Sequence, residues 1–256
     1  MPEPHLLFDV ADNIATLTIN REDRRNAISI EAIRLFLQYL DQAERDSEVR
    51  VVLITGAGNR AFCSGADLSA DSGGDIRQGV KMYARLLKRL SGFPKPVVAR
   101  VNGACMAGGI GFMLACDIVI ARNDAEFGTP EVNVGLWPMM IGALIYRNTL
   151  RKKAMEMVLL GERLAAAQAL EMGLITCVAK PDRLDAEVNG VLQSLSQKSP
   201  IGIKIGKEAF YAMADMPFEE AVDYLSEKIA EVAATEDARE GITAFIEKRK
   251  PVFKGK

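Results

Sequence analysis

Apolar and polar side chains alternate near the N-terminus, where Ala15, Leu17 and Ile19 are interleaved with Thr16 and Thr18. A period of two predicts strands over 6–10 and 14–19, and Asp12-Asn13 between them predicts a hairpin turn. The period then lengthens. Ile33, Phe36, Leu37 and Leu40 share one face of a helix that Ser29 is placed to cap. Residues 50–55 (RVVLIT) read as a buried strand, and 97–101 and 117–121 as two more. Residues 78–90 have helical spacing, whereas 71–74 are polar, loose and loop-like. Two further strand–helix units end near Ala179. From Pro200 onward only helices are predicted: 201–214, 218–234, and 237–250 behind a Thr235 cap. Strands alternating with helices, then helices alone, predict an α/β body over 1–199 and a helical region over 200–256.

Composition narrows the chemistry. The 256 residues carry 32 Lys and Arg against 34 Asp and Glu, a net charge of −2, and no dense basic run. That balance gives no nucleic-acid footprint. A single histidine, His5, lies at the N-terminus. Histidine triads, Cys-His dyads and multi-histidine metal sites therefore have nothing to build with. Cys63, Cys105, Cys116 and Cys177 are widely spaced without a CxxC, as in a reduced intracellular protein. Residues 1–5 lack the basic and apolar regions of a signal peptide, and no uncharged run approaches the ~18–20 residues of a membrane span. The expectation is a cytoplasmic protein whose chemistry runs on carboxylates, backbone dipoles, lysines or a bound group.

Five segments are candidates for that chemistry. Gly56-Ala57-Gly58-Asn59-Arg60-Ala61 matches a dinucleotide fingerprint in letters, but Phe62 to Gly65 reads as a second loop where the fingerprint needs a helix. Ser64-Gly65-Ala66 and Ala107-Gly108-Gly109 are small-residue junctions after strands, the second opening a helix. Such residues either permit tight turns and close helix–strand packing or leave two N–H groups to converge on an oxyanion. The spacing alone leaves both readings open. Glu131 follows Pro130 among Phe127, Val132, Val134, Leu136 and Trp137, surroundings that raise a carboxyl pKa and suit a general acid or base. A helix cap or an arginine partner would use the same residue. Trp137-Pro138-Met139-Met140 is either core or the wall of an acyl pocket.

The blocks Asn20-Arg21 to Asn26-Ala27-Ile28, ITGAGNRAFCSGADL (54–68), KPVVARVNGACMAGGIGFMLACD (95–117), Phe127-Gly128-Thr129-Pro130-Glu131 and FIEKRK (245–250) occur in this order over nearly the whole chain. Together they resemble the enoyl-CoA hydratase/isomerase (crotonase) family. The resemblance implies a spiral of ββα repeats with a C-terminal helical region that builds homotrimers or homohexamers. It implies an acyl-CoA thioester substrate, with coenzyme A entering as part of that substrate and no separate cofactor or metal. The oxyanion N–H groups then fall on Ala66 and Gly108, and the proton-transfer carboxylate on Glu131. Ser64, Asp67 and Leu68 would cradle the adenine end of coenzyme A. Arg24 and Arg25 would pass its phosphates, Phe245 and Lys248 would reach it from the tail helix, and Trp137 and Met139 would line the acyl site.

One departure from the family pattern bears on the reaction. Hydratases of the family hold a water between two glutamates, and the first of these falls here on Gly111. One carboxylate is enough to move a proton between two carbons, so 3-enoyl- to 2-enoyl-CoA isomerisation is favoured. Syn hydration in fatty-acid or related acyl-CoA degradation is the alternative, and a non-catalytic binding member a second one. A carboxylate introduced at 111 is expected to restore the two-carboxylate geometry.

Overall fold

The computed structural model describes residues 3–67 and 76–256. Leu68 and the 71–74 loop lie outside the described residues. The first two strands, β1 (Leu6–Ala11) and β2 (Ile14–Ile19), pair antiparallel from Leu6↔Ile19 to Ala11↔Ile14. Asp12 and Asn13 both take left-handed backbone conformations (φ 50° and 65°), which matches the turn to the twist of the ribbon. Helix α1 (Ile30–Arg45) begins where the Ser29 hydroxyl accepts from the Ala32 N–H at 3.1 Å, and it buries Ile33, Phe36 and Leu40.

Next come β3 (Val51–Gly56), β4 (Ala61–Cys63), α2 (Ile76–Ser91), β5 (Val97–Val101), β6 (Ala104–Met106), α3 (Gly108–Leu114), β7 (Ile118–Arg122) and β8 (Glu126–Gly128). A short 3-10 helix, Pro130–Val134, leads to α4 (Met139–Asn148) and α5 (Arg151–Leu160). The chain continues through β9 (Leu164–Ala165), α6 (Ala166–Glu171), β10 (Cys177–Ala179) and α7 (Leu184–Ser196). It ends with α8 (Pro200–Met213), α9 (Phe218–Ala233) and α10 (Glu236–Glu247), the last capped by Thr235, whose hydroxyl accepts from the Ala238 N–H. The tail is helical, as the sequence predicts.

Two sheets result. The larger runs β1-β2-β3-β5-β7-β10, parallel from β2 onward. Its apolar runs split by parity: Val52, Ile54, Val97, Ala99, Val119 and Ala121 join the main core, while Val51, Leu53, Val98 and Ile120 pack against Leu184, Val188 and Leu192 of α7. The smaller sheet runs β4-β6-β8-β9. Its strands have two or three residues, too few for a hydrophobic period, and the sequence reads Phe62 to Gly65 as loop and gives the other strands no bounds. Phe62 to Gly65 therefore starts as a strand, and among the described residues up to Asp67 no helix opens, so the dinucleotide fingerprint still fails.

Two buried asparagines tie the layers together. Asn102, at the end of β5, accepts from the Gly56 N–H at 3.2 Å and donates to the carbonyls of Gly56, Gly58 and Ala61 at 2.9, 2.8 and 3.2 Å. Asn26 donates to the carbonyls of Ala57 and Ala61 and accepts from the Arg21 N–H. Together they satisfy the backbone of the 56–61 loop where water is excluded. Asn102→Ala should cost about 2–4 kcal/mol, because several buried groups lose their partner at once. Urea denaturation measures it, and a cost below about 1 kcal/mol would remove this clamp from the account.

Candidate active site

The smaller sheet positions the site. Parallel pairing sets Cys63 beside Cys105, Cys105 beside Phe127 and Met106 beside Gly128. Three strands thus end together, and within three residues they reach Ala66, Gly108 and Glu131.

At the first strand end, Ile28 bridges Ala66 through Ile28 N–H to Gly65 O and Asp67 N–H to Ile28 O, at 2.8 and 3.0 Å. The N–H of Ala66 itself therefore faces away from Ile28. At the second, Ala107 has φ 49° and ψ −125°, a conformation that costs an alanine about 1–3 kcal/mol. Its N–H donates to Gly128 O at 2.9 Å, so β8 helps to hold the strained turn. Gly108 then opens α3 without an intrahelical acceptor for its N–H. Among the described residues, neither the Ala66 nor the Gly108 N–H has a hydrogen-bond partner.

The glycines divide between the two readings that spacing leaves open. A Cβ at Gly109 would collide with the Cys63 carbonyl, and one at Gly65 (φ 104°) would lie 2.8 Å from the Ala107 Cβ. These two serve close packing. Gly108 differs. A Cβ there would meet the Tyr83 hydroxyl at 3.4 Å and the Ala66 nitrogen at 3.7 Å, ordinary contacts, so the position faces the Ala66 N–H without being crowded by it.

At the third strand end, Thr129 is buried and Pro130 starts the 3-10 helix that carries Glu131 in its first turn. The Glu131 backbone carbonyl accepts from Leu136 N–H at 2.9 Å, which fixes the turn. Glu131 Oε2 is buried and has no hydrogen-bond partner among the described residues. The carboxyl neither caps a helix through that atom nor meets an arginine. Burial raises its pKa above the usual glutamate value, outweighing a backbone hydrogen bond that lowers it.

Other sequence candidates separate into groups. Arg24 and Arg25 are brought to Ser64 by the backbone: Ser64 N–H donates to Arg25 O at 3.2 Å and Ser64 Oγ to Arg24 O at 3.4 Å. Both arginine side chains are exposed. Asp67 is held within the fold by Arg21, which donates to its carboxylate at 2.7 Å and to the Ala27 carbonyl at 2.7 Å. Arg21 was legible only as part of a block, because its partner lies 46 residues away. Trp137 and Met139 line a mostly apolar depression of about 360 Å³ with Tyr146 and Met155. Met140, by contrast, packs on the core. Phe245 and Lys248 lie at the end of α10, where Phe245 is 84% exposed.

Sequence reasoning missed Tyr83 on α2. Its ring is buried edge-on against Phe112, with centroids 5.2 Å apart, and its hydroxyl donates to Gly108 O at 2.5 Å. That hydroxyl also closes position 111, where a Cβ would collide with it and lie 2.6 Å from Ile141 Cγ2. The expectation that a carboxylate at 111 would restore a second acid is corrected on this ground: the space already holds an oxygen.

The buried thiols offer no nucleophile near neutrality. Burial pushes Cys63 up to about 12 and raises Cys105 and Cys116 as well. Among the described residues no group of three or more His, Cys, Asp or Glu is placed to hold a metal ion, and no helix is long and apolar enough to cross a membrane.

Two backbone donors without partners among the described residues, and a carboxyl with one buried, unpartnered oxygen, on three adjacent strand ends, equip an α/β protein for proton transfer next to a carbonyl. The sequence profile of the enoyl-CoA hydratase/isomerase family matches residues 9–256. A short-chain-enoyl-CoA hydratase of Clostridium acetobutylicum is 31% identical over 250 residues, covering 96% of each chain. A 1,2-epoxyphenylacetyl-CoA isomerase of Escherichia coli is 34% identical over 259 residues, covering 98% of each. The crystal structure of an enoyl-CoA hydratase from Bacillus anthracis superposes with a TM-score of 0.94 at 30% identity, covering 98% of this chain and all of that one. The chain belongs to the enoyl-CoA hydratase/isomerase family and has the crotonase fold.

The orphaned carboxyl has a thermodynamic signature. Its folded-state pKa lies above the unfolded value of about 4.3, so its stabilising contribution is complete below that pH and is lost as pH rises through the folded value. Glu131→Gln removes this titration. The variant should therefore gain in melting temperature over the natural protein between about pH 5 and pH 8, with the difference closing toward pH 4. Thermal melts across that range check it, and a pH-independent difference would contradict the burial argument.

Proposed function

We propose that this protein processes acyl-CoA thioesters through an enolate held by the N–H groups of Ala66 and Gly108, with Glu131 as its proton carrier. The observation that carries the reading is the buried, unpartnered Glu131 Oε2 on the strand end next to two free N–H groups. For a 3-enoyl-CoA, Glu131 takes a proton from C2, the electrons move onto the thioester oxygen between the two N–H groups, and Glu131 returns the proton to C4. One carboxylate completes that cycle, and Gly111 supplies no second. Hydration of 2-enoyl-CoA is the second reading, favoured by the hydratases among the relatives. Arg24 and Arg25, tied to Ser64, face the coenzyme A phosphates in this reading.

Assembly belongs to the same proposal. Phe210, Phe218, Ile229, Ile242, Phe245 and Ile246 are each more than 60% exposed on α8–α10. So much apolar surface favours association, and a homotrimer or its multiple would bring Phe245 and Lys248 toward a neighbour's coenzyme A. Sedimentation at micromolar concentration should give a trimer or hexamer. A monomer would exclude that role for the tail helix.

Glu131→Gln keeps shape but cannot accept a proton, so turnover should fall by ~10²–10⁴-fold. Gly108→Pro removes one donor, though proline also strains the turn behind Ala107, and should lower kcat by about 10²-fold. Product analysis with 3-enoyl- and 2-enoyl-CoA reads both, after circular dichroism has shown the variants folded. A folded Gly108→Pro protein with full turnover would end the oxyanion assignment.

A further inference from the structure

We propose that the Tyr83 hydroxyl holds the water that this site adds to 2-enoyl-CoA, giving the enzyme a hydration activity that needs Tyr83 beside an isomerisation that does not. The inference rests on the Glu131 and N–H assignments above and adds a second polar group to them. Three observations carry it. The hydroxyl stands in the space into which a side chain at 111 would project. It lies on the same side of Gly108 as the Ala66 nitrogen, both within 3.7 Å of the point a Cβ would take. Its single proton is committed to Gly108 O at 2.5 Å.

The last point decides what the group can do. A hydroxyl that has given its proton away has two lone pairs left, and these accept. Tyr83 is also buried, and burial, with smaller contributions from Cys63, Cys105 and Glu131, raises its pKa far above the usual tyrosine range, so it stays neutral. A neutral acceptor holds a water without competing for its proton.

The water then donates one hydrogen to Tyr83 Oη and the other to the Glu131 carboxylate. Its second O–H bond breaks toward Glu131 as its oxygen bonds to C3. The C2–C3 π pair moves to place negative charge on the thioester oxygen between the N–H groups of Ala66 and Gly108. Collapse of that enolate takes the proton from Glu131 onto C2 and regenerates the carboxylate. Hydrogen and hydroxyl have been added, nothing has been oxidised, and Tyr83 has exchanged no proton. Isomerisation uses no water, so it bypasses Tyr83.

The test is Tyr83→Phe, which keeps the ring against Phe112 and removes only the oxygen. Hydration of crotonyl-CoA and isomerisation of a 3-enoyl-CoA are measured on one preparation, so that their ratio does not depend on the folded fraction. The expected result is a hydration rate at least about tenfold lower with isomerisation within about twofold of the natural protein. An equal loss of both activities would make Tyr83 a support for the Gly108 turn and overturn the proposal, as would no loss of either. A natural protein that fails to hydrate crotonyl-CoA overturns it as well. Glu131→Gln separates the levels: it should abolish both activities, and survival of either would overturn the assignment on which this one stands.

Discussion

The alignment of three strand ends in the smaller sheet is the constraint on which the site depends. β4, β6 and β8 are only three residues long, and alone they would bury too little to persist. They persist because β6 pairs in parallel with both neighbours and because Asn102 and Asn26 bind the loop that delivers β4. Parallel strands present their C-terminal ends together, so groups that leave those ends converge. Ala66, Gly108 and Glu131 are brought together by register rather than by direct contact among their side chains.

That convergence is maintained against local preferences. Ala107 takes a backbone conformation alanine disfavours, Glu131 keeps an oxygen buried without a partner, and Gly65 requires a positive φ. Elsewhere several poorly exposed charges are matched, Arg21 with Asp67 and Lys207 with Asp117, whose carboxylate also accepts from the Val97 N–H, although the buried Thr149 Oγ1 has no partner among the described residues. Three such terms at one set of strand ends are what a site selected for reaction rather than stability looks like.

Gly111 and Tyr83 are one feature seen from two helices. A glycine on α3 makes room, and a tyrosine from α2 fills it with an oxygen that is neutral where a carboxylate would be charged. A second carboxylate beside Glu131 would add repulsion in a poorly solvated space, whereas a hydroxyl fixed on a backbone carbonyl adds polarity without charge. On the proposal above, the balance between hydration and isomerisation would turn on a pair of residues 28 positions apart in sequence rather than on Gly111 alone.

The sequence by itself determined the elements long enough to show a period: the first hairpin, α1 with its Ser29 cap, the strands at 51–56 and 97–101, and the three tail helices. It also singled out the junctions 64–66 and 107–109 and Glu131, because small residues after strands and a carboxylate among apolar neighbours are local signals, while Ala66 and Gly108 as donors followed only from the family resemblance. What it did not determine were contacts across distance. The strands of the smaller sheet are shorter than a hydrophobic repeat, so no period marks them. Asp67 read only as part of a coenzyme A cradle because its partner Arg21 is remote in the chain, and Gly111 read as an absence because the Tyr83 hydroxyl reaches it from another helix. Periodicity and residue type are properties of a segment. Which oxygen fills the space before a glycine is decided only when two segments pack.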